Sequence, residues 1–228
     1  MNAAILVAAG KGSRMGPKTN KLFLEVAGRP VVAHTWRRFD DARCIAEIIL
    51  VVRKGMRRAF EDLAAKFKFK KPFRIVVGGA ERQDSVWNGL EALSATAEIV
   101  AIHDAARPCT SEELIEATIK RAAETGAAVA ARPVTDTIKQ SADGKFVQRT
   151  LDRSHLWSVQ TPQTFRVEVI RRALAEARRC KLRFTDDTAA CELIGQSVRL
   201  VSMLAPNPKV TVPGDLPFIE SLLRKGAT

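Results

Sequence analysis

The chain has no run approaching the roughly 20 uninterrupted apolar residues that a bilayer-spanning helix needs, and no basic segment ahead of its first apolar stretch. Neither a membrane span nor an export leader is supported, and the expected setting is the cytoplasm. Its four cysteines, Cys44, Cys109, Cys180 and Cys191, include no Cys-x-x-Cys pair, which removes the spacing that a zinc site or a disulfide framework uses. Acidic residues are in deficit: 25 Asp plus Glu face 37 Lys plus Arg, a formal charge of +12 that attracts polyanions. Internal repeats, low-complexity tracts and a domain linker are also missing. With 228 residues and 46% hydrophobic composition, the chain is expected to form one domain, 1–228, around one sizeable core.

What is present alternates. Apolar, β-branched runs recur at Ala3–Val7, Glu47–Val52, Phe73–Val77, Glu98–Ile102 and Ala127–Ala131. They are too short for helices and too continuously apolar for strands with one wet face, so they predict buried parallel strands. Helical spacing fills the intervals at Pro30–Phe39, Met56–Phe67, Gln83–Leu93 and Ser111–Glu124, and Thr110 with Glu113 matches a capping box before the last of these. The expected fold is α/β, a Rossmann-like, mostly parallel sheet covered by helices on both faces. Ligands in such sheets sit beyond the carboxyl ends of the strands, so the loops after Val7, Val77 and Ile102 should share one crevice.

Past Pro133 the alternation stops. Asp136–Gln140 and Lys145–Leu151 flank Ser141-Ala142-Asp143-Gly144, which predicts a β-hairpin with turn residues at its tip. This polar arm, at about 134–154, is marginal alone and calls for a partner surface such as a second subunit. A Thr161-Pro162-Gln163 loop, helices near Val167–Arg179 and Asp186–Ile194, a strand at Ser197–Ser202 and a last helix from about Asp215 complete the expectation. Thr185-Asp186-Asp187-Thr188 suits a metal or a helix cap, and the cap is favoured.

The tract Lys66-Phe67-Lys68-Phe69-Lys70-Lys71 interleaves cations with aromatics, as single-strand nucleic-acid binders do. Its plainer explanation is a helix end running into the strand Phe73–Val77, with Phe inward and Lys solvated. A groove needs several such elements on one face, and the other basic residues are dispersed over candidate helices, so no nucleic-acid partner is expected.

The chemistry concentrates in Ala8-Ala9-Gly10-Lys11-Gly12-Ser13-Arg14-Met15-Gly16-Pro17-Lys18-Thr19-Asn20-Lys21. Its glycines let backbone N–H groups converge on an anion. The spacing G-x-G-x-x-x-G is not the dinucleotide fingerprint, and no Gly-Lys pair precedes Ser or Thr as a Walker loop requires. Such a loop also serves as a plain tight turn. Arg14 within it and Lys21 just beyond it favour a triphosphate whose β and γ groups leave as pyrophosphate.

The string L-V-A-A-G-x-G-x-R-M-G, followed by a lysine, resembles the signature of nucleotide-sugar pyrophosphorylases and cytidylyltransferases. Further strings are similar to the 2-C-methyl-D-erythritol 4-phosphate cytidylyltransferase family of the non-mevalonate isoprenoid pathway. They are Gly78-Gly79-Ala80-Glu81-Arg82-Gln83-Asp84-Ser85-Val86, His103-Asp104-Ala105-Ala106-Arg107-Pro108, Leu151-Asp152-Arg153 with Trp157, Gln160-Thr161-Pro162-Gln163, and Pro208-Lys209-Val210-Thr211. The resemblance covers nearly the whole chain in order. It implies transfer of a cytidylyl group from CTP to the sugar-alcohol phosphate, with Arg14, Lys21, Arg153 and Lys209 as the catalytic cations. By the same resemblance Ala8, Ala9, Gly10, Gly12, Gly79, Ala80, Glu81, Arg82 and Ser85 hold CTP. Asp104, Arg107, Thr137, Arg153, Thr161 and Lys209 surround the sugar phosphate, and Asp104 is the carboxylate for magnesium. A homodimer is implied too, its arm reaching into the neighbouring active site, so that Thr137 and Arg153 at the base of the hairpin act in trans. Ala80 departs from relatives that carry an acidic side chain there, and only its backbone remains to meet the ribose.

The residues agree with this chemistry independently. A phosphate monoester has a second pKa near about 6, so the attacking oxygen is ionised at neutral pH and no general base is required. His103 then has no catalytic task and fits a hydrogen-bonded core position. The protein must hold two polyanions together and neutralise charge in the transition state. Magnesium is expected on the triphosphate, with Asp104 at a strand end as its carboxylate. Asp104 and Arg107 either face ligand or pair with each other. Ribitol 5-phosphate, or another base with another sugar phosphate, is the competing enzyme reading, and a basic nucleic-acid-binding module is the non-enzyme one.

Overall fold

A computed structural model describes residues 1–10 and 20–225. The strands in chain order are β1 Asn2–Ala8, β2 Glu25–Val26, β3 Arg29–Pro30, β4 Glu47–Val52, β5 Phe73–Val77, β6 Ile99–Asp104, β7 Ala127–Pro133, β8 Lys139–Gln140, β9 Arg149–Thr150, β10 Trp157–Arg166 and β11 Arg199–Val201. The helices are α1 Val31–Asp41, α2 Arg57–Phe67, α3 Arg82–Glu91, α4 Glu112–Thr125, α5 Val167–Arg179, α6 Thr188–Leu193 and α7 Leu216–Lys225. Each predicted apolar run is a strand, and β4, Glu-Ile-Ile-Leu-Val-Val, is buried along its whole length.

Seven strands form one sheet in the order β11-β7-β10-β6-β1-β4-β5. All its pairings are parallel except those of β10, which runs antiparallel between β6 and β7. Because successive side chains of a strand point to opposite faces, β1 supplies both halves of the core. Ala4, Leu6 and Ala8 face α1, α2, α4 and α7, whereas Ile5 faces α3, α5 and α6. Helix α5 shows how the basic surplus is accommodated: Val169, Ile170, Ala173, Leu174 and Ala177 form its buried stripe, and its arginines lie off that stripe. Each large apolar side chain sealed this way contributes about 1.5–3 kcal/mol.

The Lys/Phe tract ends α2. Lys68 takes a left-handed conformation at φ 52°, Phe69 stacks on buried Trp36 with ring centroids 4.1 Å apart, and Phe73 meets the same indole edge-on at 5.0 Å. The backbone N–H groups of Lys70 and Lys71 donate to Asp40. Its aromatics are therefore core residues.

Three expectations need correction, and one holds. Thr161-Pro162-Gln163 lies inside β10; its polar side chains suggest a loop, yet they are buried and form hydrogen bonds inward. The cap of α4 is Ser111, whose Oγ accepts from the Leu114 N–H at 3.2 Å, while Thr110 is buried in a network described below. The arm carries only a two-residue ladder, β8 with β9, because its turn is closed by Asp143 rather than by extended strands: Oδ1 accepts from the N–H groups of Lys145 and Phe146. The favoured cap ahead of α6 is present: Asp186 accepts from the Ala189 N–H and the Thr188 hydroxyl, while Asp187, at the N-cap position, turns inward. Among the described residues no helix is long and apolar enough to cross a membrane.

Candidate active site

The carboxyl ends of β1, β4, β5 and β6 open into one cleft of about 760 Å³, as the crossover rule for parallel sheets requires. Ala8 to Gly10, the wall segment Gly78 to Arg82, and Asp104 with Lys209 line it. The wall needs its glycines. A Cβ on Gly78 would meet Ala9 Cβ at 2.4 Å, and one on Gly79 would meet Asp84 Cβ at 2.2 Å, so only glycine lets this loop close on the start of α3. Ser85, itself buried, fixes the loop by accepting from the Gly79 N–H at 3.1 Å and donating to the Glu81 carbonyl at 3.2 Å.

Lys21 enters from a short 3-10 turn, Lys21–Phe23, whose preceding Asn20 accepts from the Leu22 N–H. Its Nζ donates to the Val210 carbonyl at 2.8 Å, and the Val210 N–H donates to the Ala106 carbonyl at 2.8 Å. The segment carrying Lys209 is thereby joined both to the first loop and to the end of β6. Lys209 Nζ lies 2.7 Å from Asp104 Oδ2, with Arg107 Nε at 3.7 Å and Arg82 Nε at 3.9 Å from the same carboxylate. Burial works to raise the Asp104 carboxyl, but Lys209, then Arg82 and Arg107, draw it down to about 2. Behind the cleft, Arg82 Nη1 stands 2.7 Å from Oδ2 of Asp187, whose side chain is 1% exposed. Burial penalises the Arg82 charge, and Asp187 and Asp104 outweigh it, holding the guanidinium above its ordinary value.

A buried network carries this end of the site. The His103 ring shares hydrogen bonds with the Thr161 hydroxyl at Nδ1 and the Thr110 hydroxyl at Nε2. Thr110 also donates to Asn207 Oδ1, and Asn207 Nδ2 donates to the Thr161 carbonyl at 2.7 Å. Complete burial drives His103 down to about 3, so the ring is a neutral structural tie and not an acid or base at neutral pH.

Lys21, Arg53, Lys54, Arg82 and Lys209 line the cleft against the carboxylates of Glu81 and Asp104. Such a surface suits paired polyanions, with fixed cations set where charge grows during phosphoryl transfer.

The model of the family described as 2-C-methyl-D-erythritol 4-phosphate cytidylyltransferase matches residues 2–225. The chain is 44% identical over 223 residues to the protein of that name from Pelotomaculum thermopropionicum, spanning 97% of this chain and 94% of the relative. It is 45% identical over 221 residues to the one from Geobacillus kaustophilus, spanning 96% of each. The solved 4-diphosphocytidyl-2C-methyl-D-erythritol synthase of Anaerococcus prevotii superposes with a TM-score of 0.86 at 32% identity, covering 98% of this chain and 96% of that one. The chain belongs to the 2-C-methyl-D-erythritol 4-phosphate cytidylyltransferase family.

For this cytidylyltransferase, the residues singled out in the sequence divide into three groups. Ala8, Ala9, Gly10, Lys21, Gly79, Ala80, Glu81, Arg82, Ser85, Asp104 and Lys209 come together around the cleft. Gly12 and Arg14 lie outside the described residues. The others stand apart from the cleft lining. Arg107 sits behind Asp104 and donates from Nη1 to the Asn207 carbonyl at 2.7 Å. Thr161 is buried, its hydroxyl 3.1 Å from the Asp104 N–H and bonded to the His103 ring, so it braces the end of β6 from within. Thr137 and Arg153 are exposed on the arm, where Arg153 donates to the Thr135 carbonyl.

Three residues of the cytidylyltransferase site were missed from sequence. Arg53 and Lys54 follow β4, and the rule that placed the crevice after Val7 and Val77 applies equally to Val52. Asp187 carried no usable signal beyond its place in an acidic pair. Among the described residues no group of three His, Cys, Asp or Glu converges as a metal cage. Asp104, at the carboxyl end of β6, is a cleft carboxylate that a magnesium ion carried on phosphate oxygens would meet, in exchange for its partner Lys209 at 2.7 Å.

Proposed function

We propose that this chain transfers the cytidylyl group of CTP to 2-C-methyl-D-erythritol 4-phosphate, giving the CDP-alcohol and pyrophosphate in isoprenoid precursor synthesis. The observation that carries the assignment is the meeting of Lys21, Arg82, Asp104 and Lys209 on one glycine-walled cleft in a member of this family. A phosphate oxygen of the sugar-alcohol phosphate attacks the α-phosphorus of CTP. The new P–O bond forms as the α–β bridge breaks, and both electrons of that bridge leave with pyrophosphate. Arg14 and Lys21 stabilise charge on the α-phosphate, Gly79 to Arg82 with Ser85 seat the nucleoside, and Lys209 receives the incoming phosphate. Asp104 would hold magnesium together with the triphosphate, and the ion supplies neutralisation of phosphate charge. No side chain has to remove a proton, in keeping with the neutral, sealed His103.

The chain works as one nucleotidyltransferase domain, 1–228, and pairs as a homodimer through the arm. Thr137 and Arg153 lie outside the cleft lining of their own chain, and Phe146 and Val147 at the arm tip are 75% and 63% exposed, which supports a seat on a second copy. The four free thiols, Cys44, Cys109, Cys180 and Cys191, support a reducing, cytoplasmic setting. The test is pyrophosphate release from CTP and magnesium with methylerythritol phosphate and ribitol 5-phosphate in parallel. Faster turnover with ribitol phosphate would replace the substrate assigned here.

A further inference from the structure

Asp187 stands at the N-cap position of α6, outside the loops that line the cleft, yet it is held against β10 and paired with a cleft residue. Its N–H donates to Gln163 Oε1 on β10 at 2.8 Å, and Gln163 Nε2 donates to the neighbouring Asp186 at 3.2 Å. Its own Oδ2 meets Arg82 Nη1 at 2.7 Å. The far edge of that guanidinium, Nε, lies 3.9 Å from Asp104 Oδ1. Arg82 therefore stands between two carboxylates, one sealed behind it and one at the cleft. A guanidinium is a rigid planar fork, so anchoring Nη1 sets the direction in which Nε points.

We propose that Asp187 is a positioning residue for the reaction: by anchoring Arg82 from behind, it keeps the guanidinium presented to the nucleotide and leaves Asp104 to Lys209. Once that anchor is gone, Asp104 is the carboxylate left within 4 Å of Arg82 among the described residues, and the fork turns toward it, away from CTP and into competition with Lys209. A buried acid that served only to seat α6 would alter stability and nothing at the nucleotide. The proposal rests on the placing of Arg82 at CTP given above.

The experiment is a double-mutant cycle of Asp187→Asn and Arg82→Ala in the full-length enzyme, with kcat and KM measured separately for each substrate and thermal unfolding recorded alongside. Asp187→Asn is expected to raise KM for CTP by about tenfold, the effect of a mid-range coupling between touching residues, and to change it by less than about twofold when Arg82 is already alanine. Equal effects in both backgrounds, or an unchanged KM for CTP in the wild-type background, overturn the positioning role. An Arg82→Ala enzyme with normal KM for CTP overturns the placing of Arg82 itself, and the proposal with it. Where Asp187→Asn does not fold, Asp187→Glu serves in the same cycle, since it keeps the charge but displaces it by one methylene.

Discussion

Lys209 Nζ stands 2.7 Å from Asp104 Oδ2 although 105 positions separate the two residues. The amine is held at the cleft by a carboxylate that three cations keep ionised down to about pH 2. An arriving phosphate dianion competes for an ammonium already aimed at the cleft, so little side-chain ordering is left for the binding step. Lys209→Ala removes that cation and is expected to raise KM for the sugar phosphate and to lower kcat by roughly a hundredfold. Initial rates with each substrate varied in turn decide this; a defect confined to CTP would move Lys209 to the other substrate.

The proposed mechanism puts Lys21 and Arg14 on the nucleotide side. Lys21→Ala and Arg14→Ala are each expected to lower kcat by roughly a hundredfold or more, as loss of one preorganised charge-stabilising donor does elsewhere. Single-turnover rates report the chemical step directly. Near-normal rates in both variants would remove charge stabilisation from the role of this loop.

The arm makes a prediction about subunits. Arg153→Ala should raise KM for the sugar phosphate and leave that for CTP near normal. If Arg153 acts in trans, mixing Lys21→Ala and Arg153→Ala proteins under exchange, assayed at a sugar-phosphate concentration far below the raised KM, yields mixed dimers with one intact site each. About a quarter of the sites, and of the activity, then returns by the two-fold symmetry of the pair. Full exchange with no recovered activity would place Arg153 in its own subunit's site.

His103 links the site to acid stability. Its folded value of about 3 lies below the ordinary 6.5 of an imidazole. The unfolded chain is therefore the first to take up the proton. This contribution is complete above 6.5 and is lost as pH falls from there toward 3, at a slope approaching about 1.4 kcal/mol per pH unit for one proton. His34, also lowered by burial, acts in the same direction. Urea midpoints measured from neutral pH down to about 4.5 should fall, and the fall should be shallower in His103→Gln. An identical slope in that variant would assign the effect to other groups.

The sheet was legible because buried parallel strands are written as unbroken β-branched runs, and β4 and β5 were delimited to the residue. The cleft lining was legible where glycine and cation stand close in sequence, as at Ala8 to Gly10 with Lys21 and from Gly78 to Arg82. Strand β10 was hidden because Thr161, Gln163 and Thr164 are polar yet buried, their character set by partners remote in sequence. Asp187 was hidden for the same reason, since its partner Arg82 lies on another helix. The contacts of Thr161 were not legible either, because a resemblance names a position without saying which way a hydroxyl points, and here it points at His103 and the Asp104 N–H.

The tie from Lys21 to the Val210 carbonyl, and from Val210 to Ala106, gives the enzyme a timetable during its own synthesis. At about 5–20 residues per second, a ribosome needs about 5–20 s to travel the 105 positions from Asp104 to Lys209. In the proposed mechanism the loops that seat the nucleotide are made early, and Lys209, which receives the second substrate, is made almost last. A nascent chain therefore passes through a period in which the nucleotide loops exist and no transfer is possible.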